Sequence, residues 1–189
     1  MARGRIPPPP AQAQWISEDD YNQPPPPYSE FEEDDQPGAG LDSLGLINGD
    51  YNIDCPFVTS QWNCYGSDFE MTLTLAGSAL WGSFDLGIIE GVLFIDERPW
   101  QSSDDYYEFK WRGRESDGPI MYGDHHQGWI KFLGGGRIEG WFDYRGLRFE
   151  GERLPGQGTR SSRDARSLRM QWDGYSEEEY DRANRARWH

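Results

Sequence analysis

A chain of 189 residues has room for one ordinary domain with extensions, since a core of roughly 100 residues folds alone. Its composition joins a core-forming signal, 15% aromatic with nine tryptophans, to a turn-forming one of 23 glycines and 13 prolines, which points to an all-β fold with irregular ends. The formal charge of −15 argues against nucleic acid and anionic membrane as direct partners, because both bind chiefly through neutralised phosphates.

That charge is uneven. Residues 1–50 carry two arginines against ten acids and residues 51–154 nine bases against seventeen acids, whereas residues 155–189 carry seven against six. No apolar run reaches bilayer length, and the opening MARGRIPPPP has no apolar signal-peptide stretch, so the expectation is an intracellular protein, cytoplasmic or nuclear. Cys55 and Cys64 have no metal-site spacing and are expected as reduced thiols.

In chain order, residues 1–47 hold proline tetrads at 7–10 and 24–27 and acidic patches at 18–20 and 30–35. So few apolar groups and so much like charge predict a disordered tail with short polyproline II pieces. Within it, Pro25-Pro26-Pro27-Tyr28 resembles the PPxY ligand of WW domains. That resemblance implies a WW-domain protein partner engaged by Pro25, Pro26 and Tyr28, the prolines being held ready for an aromatic groove. Lys110 and Lys131 are the only lysines of the 18 basic residues, which suits an adaptor of a ubiquitin ligase better than a substrate.

From residue 48 to 154 the pattern alternates with a period of two, the mark of half-buried strands. The runs carry Tyr51, Ile53 and Cys55; Phe69, Met71, Leu73 and Leu75; Leu80, Gly82, Phe84 and Leu86; and Ile89, Gly91, Leu93 and Ile95 on one face. Four more follow, with Tyr107, Phe109, Trp111 and Gly113; Gly128, Ile130 and Phe132; Ile138, Gly140 and Phe142; and Leu147, Phe149 and Gly151. About eight consecutive strands without intervening helices predict an antiparallel up-and-down meander closing into a barrel, with a sandwich as the competing architecture. Residues 155–189 form a C-terminal tail, in which Ser176 and Glu179 make a capping box for a short polar helix over 177–187.

Six of the inward positions are glycines, and they have two readings: room for a large neighbour opposite, or an open lumen. In the second case the protein is a small-molecule carrier whose ligand is lined by Tyr51, Phe109, Trp111 and Phe142. The glycines of 134–140 do not form a phosphate loop, because Trp141 and Phe142 stand where Lys and Ser or Thr are required. Tyr122, Asp124, His125 and His126 are the one gathering of imidazole and carboxylate, and a barrel enzyme such as an isomerase would have to use them. A hairpin tip is the plainer account of that stretch. No catalytic set, metal ligand or cofactor motif is assigned. The outward aromatics Trp81, Trp129 and Trp141 are expected either to dock another protein or to pack beneath the C-terminal tail.

NGDYNI at 48–53 resembles the first-strand signature of lipocalins, with Tyr51 in the place of Trp. The run 66–85 is similar to the early hairpin of streptavidin-type barrels: Leu80, Gly82 and Phe84 keep the spacing, while Ser78 stands where a glycine leads that motif. Both resemblances imply an up-and-down, calycin-like barrel and carry neither family's ligand residues. LTLAGSALWGSFDLGIIEGVLF, RPWQSS, WRGRE and WDGYSEEEYDRANRARW resemble a group of uncharacterised proteins from filamentous fungi over residues 49–188, which implies no activity.

Overall fold

The structure, a computed structural model, describes residues 41–187. The proline tetrads and the Pro25, Pro26 and Tyr28 motif lie outside these residues. The strands are β1 (Gly49–Asp54), β2 (Phe69–Ala76), β3 (Ala79–Asp85), β4 (Ile89–Ile95), β5 (Ser103–Glu115), β6 (Ile120–Met121), β7 (Gln127–Gly134), β8 (Arg137–Phe142) and β9 (Leu147–Arg153). Pairing runs β4-β3-β2-β1-β9-β8-β7-β5, and β4 pairs with β5 to close the ring. The result is a closed antiparallel barrel of eight strands, with the two-residue β6 as an outrigger on β5.

Closure depends on β5. Its second half, from Lys110, pairs with β4, and its first half, up to Lys110, pairs with β7. At the seam Gly91 faces Gly113, and a Cβ on Gly113 would lie 2.1 Å from the Glu90 carbonyl oxygen. Two backbones pass too closely there for any side chain, which lets the strands coil into the curve of the barrel. The β7–β8 connection is equally specific: Gly135 and Gly136 both have positive φ, at 62° and 83°, the backbone of a two-residue turn whose twist matches the strands.

The alternating face read from the sequence points inward, and the interior is solid. Tyr51, Ile53, Met71, Leu73, Leu93, Phe109, Trp111, Phe142 and Phe149 are all at most 2% exposed. Phe142 is the hub, with ring centroids 4.7 Å from Phe84, 5.0 Å from Phe109, 5.6 Å from Phe149 and 5.8 Å from Trp111. Such tilted and edge-on pairs add about 0.5–1.5 kcal/mol each beyond the area they bury. The inward glycines make room for these rings: a Cβ on Gly128 would meet Phe109 Cζ at 2.3 Å, and one on Gly140 would meet Phe149 Cζ at 2.4 Å.

Among the described residues there are three α-helices, α1 (Pro56–Gln61), α2 (Ala165–Gly174) and α3 (Glu177–Arg187), and a single 3-10 turn at Asn63–Tyr65. The sequence reading anticipated only α3, whose N-terminal amide at Glu179 does donate to Ser176 Oγ at 3.4 Å. Ahead of α2, residues 154–163 lie as a strap across the outside of β1 and β2. Gln157 holds Asp50 through both backbone groups, accepting from its N–H at 2.7 Å and donating to its carbonyl at 2.8 Å. Thr74 Oγ1 donates to the Arg163 carbonyl at 2.7 Å, and Thr72 Oγ1 to Asp50 Oδ1 at 2.7 Å. These partners explain why two outward threonines are buried, since a buried hydroxyl needs its hydrogen bond. Asp164 caps α2 by accepting from the Ser167 N–H at 2.7 Å. The helix then sets Leu168 and Trp172, with Tyr175 just after its end, over Trp81 and Val92.

Gly128→Ala should lower the free energy of unfolding by about 1–3 kcal/mol, the usual cost of overfilling a packed core. Urea denaturation monitored by tryptophan fluorescence measures it, and an unchanged midpoint would mean that the interior holds slack.

Candidate interaction surface

Tyr51, Phe109, Trp111 and Phe142 are brought together, as the alternation required, but the space between them is filled by their own rings. Tyr51 donates its hydroxyl to the Ile47 carbonyl at 2.7 Å, and burial pushes its phenol well above the ordinary tyrosine range. Its polar end is therefore already engaged within the fold.

The stretch 122–126 does more than round a hairpin tip. Trp111 reaches the end of the barrel, where its Nε1 donates to Asp143 Oδ1 at 2.8 Å, and the other Asp143 oxygen accepts from the Gln127 N–H at 2.9 Å. His126 lies against the Trp111 ring at 4.8 Å and His125 against His126 at 4.1 Å. Asp124 is tied to Arg112 at 2.8 Å, not to an imidazole, and that guanidinium holds its carboxyl below the usual range. Burial, then the nearby His125, lower the His126 pKa, with Asp143 opposing. The stretch is a lid of stacked rings over Trp111. Among the described residues no group of three or more His, Cys, Asp or Glu is placed to hold a metal ion.

The outward tryptophans divide. Trp81 is 6% exposed beneath α2, where its ring meets Trp172 at 5.7 Å and Arg169 sits 5.4 Å over it. Trp129 and Trp141 stay half-buried on the opposite wall, directly across from each other on β7 and β8. The registers give this wall a regular plan. One row runs Glu108, Trp129, Trp141, Arg148; a second runs Tyr106, Lys131, Glu139, Glu150; and a third runs Phe94, Lys110, Gln127. Every other residue of each strand contributes because outward positions recur with a period of two.

Tyr106 faces outward on the same alternation as Glu108 and Lys110, and it emerges 60% exposed with its ring 6.2 Å from Trp129. Just before it, between Ser103 and Tyr106, the β5–β7 register slips, and Ser103 Oγ accepts from the Asp105 N–H at 2.9 Å while donating to Asp105 Oδ2 at 2.9 Å. Sequence alternation does not signal the slip, because it is a property of the paired strands. Lys131 pairs with Glu139 at 3.0 Å and lies 5.6 Å over the Trp129 ring. Between these side chains runs a groove of about 580 Å³, and a second hollow of about 480 Å³ beside Phe57 shares Trp129, Glu139 and Arg148 with it.

The indole nitrogens of Trp129 and Trp141 and the Tyr106 hydroxyl form no hydrogen bond among the described residues, and none of the three is sealed from solvent. Lys110 and Arg148 form no ion pair there either. The wall thus combines flat apolar rings with unengaged donors. Comparison with protein-family models, curated proteins and solved structures found no match. No helix among the described residues is long and apolar enough to cross a membrane.

The lid gives a pH prediction with a definite sign. His126 is held neutral in the fold, so the unfolded chain binds the extra proton below about pH 6.5, and stability falls as pH drops through that value and on through the lowered native pKa. Thermal midpoints taken from about pH 7.5 to about pH 5 should fall less in His126→Phe, which keeps the stacking and loses the proton. Equal slopes in the two proteins would exclude His126 as the source.

Proposed function

We propose that this protein is a non-enzymatic adaptor that docks other proteins at two places: the Trp129–Trp141 wall of the barrel, and the tail motif at Pro25, Pro26 and Tyr28. One contrast carries the reading. The barrel covers one aromatic wall, at Trp81, with its own C-terminal helix, while no described residue covers the other, where two tryptophans and a tyrosine line a groove. Exposed aromatics clustered in a concave, polar-rimmed patch are the usual anchors of protein interfaces.

The tail motif supports the adaptor half through its chemistry: prolines hold an extended helix and the following tyrosine completes contact with a WW groove. The lysine pattern fits as well. Lys110 and Lys131 both line the open groove, so a docked partner would cover the chain's only two acceptors for ubiquitin. Cys55 and Cys64 are both free, which suits a reducing compartment inside the cell.

Two variants of the full chain separate the halves. A purified WW domain of PPxY specificity should bind the wild-type chain and lose about tenfold or more in affinity for Tyr28→Ala. Quantitative capture from cells should lose a different set of proteins with the double variant Trp129→Ala/Trp141→Ala. Identical captured sets from all three chains, with the WW domain indifferent to Tyr28, would overturn the reading.

A further inference from the structure

We propose that the groove over Trp129 and Trp141 receives a proline-rich segment of a partner protein, lying as a polyproline II helix with an acidic residue at its Arg148 end. This names the ligand of the docking wall and rests on that reading. Three ways of holding a peptide on a folded domain can be compared. Strand addition needs an open sheet edge, and β7, β8 and β9, which carry Trp129, Trp141 and Arg148, are each paired on both sides. An amphipathic helix, about 10–12 Å across, needs a continuous apolar trough, whereas Glu108, Lys131, Glu139 and Arg148 interrupt this one.

A polyproline II helix meets what is left. Its pyrrolidine faces are flat and apolar, and its carbonyls have no internal partners, so it asks for aromatic ridges carrying hydrogen-bond donors at their edges. Trp129, Trp141 and Tyr106 supply both, with three donors that the fold leaves unused. The dimensions agree. The groove is lined from Phe94 on β4 to Arg148 on β9, four inter-strand steps or about 19 Å, the rise of about six residues of polyproline II.

Charge sets the flank. Lys131 is neutralised by Glu139, while Arg148, opposite Trp141 at the β9 end, has no ion pair among the described residues. It is placed to meet a carboxylate at the β9 end of the segment, and Glu108 at the other end of that row disfavours one there. The acidic groups of the groove, Asp96, Glu108 and Glu139, likewise disfavour a polyphosphate ligand.

The test uses the 15N-labelled full-length chain with every proline of its two tetrads replaced by alanine, so that an added peptide is the only such ligand. The peptide is PPPPYSEFEEDD, residues 24–35 of this chain, in which four prolines precede acids; wild-type indole positions that already match the peptide-saturated variant would assign the groove to that tail and overturn the partner assignment. Of the nine indole resonances, those of Trp129 and Trp141, assigned through Trp129→Phe and Trp141→Phe, should shift saturably with a dissociation constant below about 1 mM. Trp129→Ala should weaken binding about tenfold or more, Arg148→Gln should weaken it less, and the same peptide with alanine for its four prolines should leave both indoles unmoved.

Unmoved indoles with the proline peptide, equal binding of the alanine peptide, or shifts produced only by a β-linked glucose oligosaccharide would each overturn the proposal. If the peptide fails while Trp129→Ala/Trp141→Ala still removes partners from the capture, the ligand class is wrong and the docking wall stands. If both fail, both readings fall.

Discussion

The structure depends on the fit between inward glycines and inward rings. An eight-stranded barrel is just wide enough for side chains to fill it, so its radius is set by which positions are empty and which are large. Gly128 and Gly140 leave their places to Phe109 and Phe149, and Phe142 touches four neighbouring rings at once. Remove that fit and the strands lose both the reason and the room to curl. Its tightness also leaves Phe109, Trp111 and Phe142 packed on one another at the centre.

A closed ring then presents only walls and ends. One wall is taken by the strap and α2, which satisfy the hydroxyl of Thr74 and bury Trp81. One end is closed by the His125–His126 stack over Trp111. The wall of β5, β7, β8 and β9 remains, with aromatics and unpaired cations on a rigid frame. Phe94 marks its border: it packs on Trp81 and Trp172 on one side and lines the groove on the other.

The barrel was legible because strand alternation is local: each of the eight runs could be read from its own residues, and the same alternation placed Trp129 and Trp141 outward. What decides the state of an outward residue is not local. Trp81 and Trp129 have the same signature in sequence, and only a helix more than eighty residues downstream, at Ala165–Gly174, makes one core and leaves the other open. That helix was missed because its buried apolar residues, Leu168 and Trp172, are only two and stand among Arg166, Arg169, Gln171 and Asp173. The glycines were ambiguous for a related reason: whether a missing side chain leaves space or hosts a ring depends on the residue across the barrel. The bulge between Ser103 and Tyr106 belongs to a register between strands and has no mark in either strand alone.

The pairing of β1 with β9 has a consequence for how the chain is made. Every other wall pairing joins strands close in sequence, but this one, and the Gln157 contacts to Asp50, span about a hundred residues. Loop closure of that length must precede its reward, so topologies of this kind fold slowly. During synthesis, β1 through β8 emerge with their aromatic faces uncovered and no partner for the free edge of β1. β9 must leave the ribosome before the ring can shut, and until then the unpaired strands of the nascent protein are exposed to aggregation.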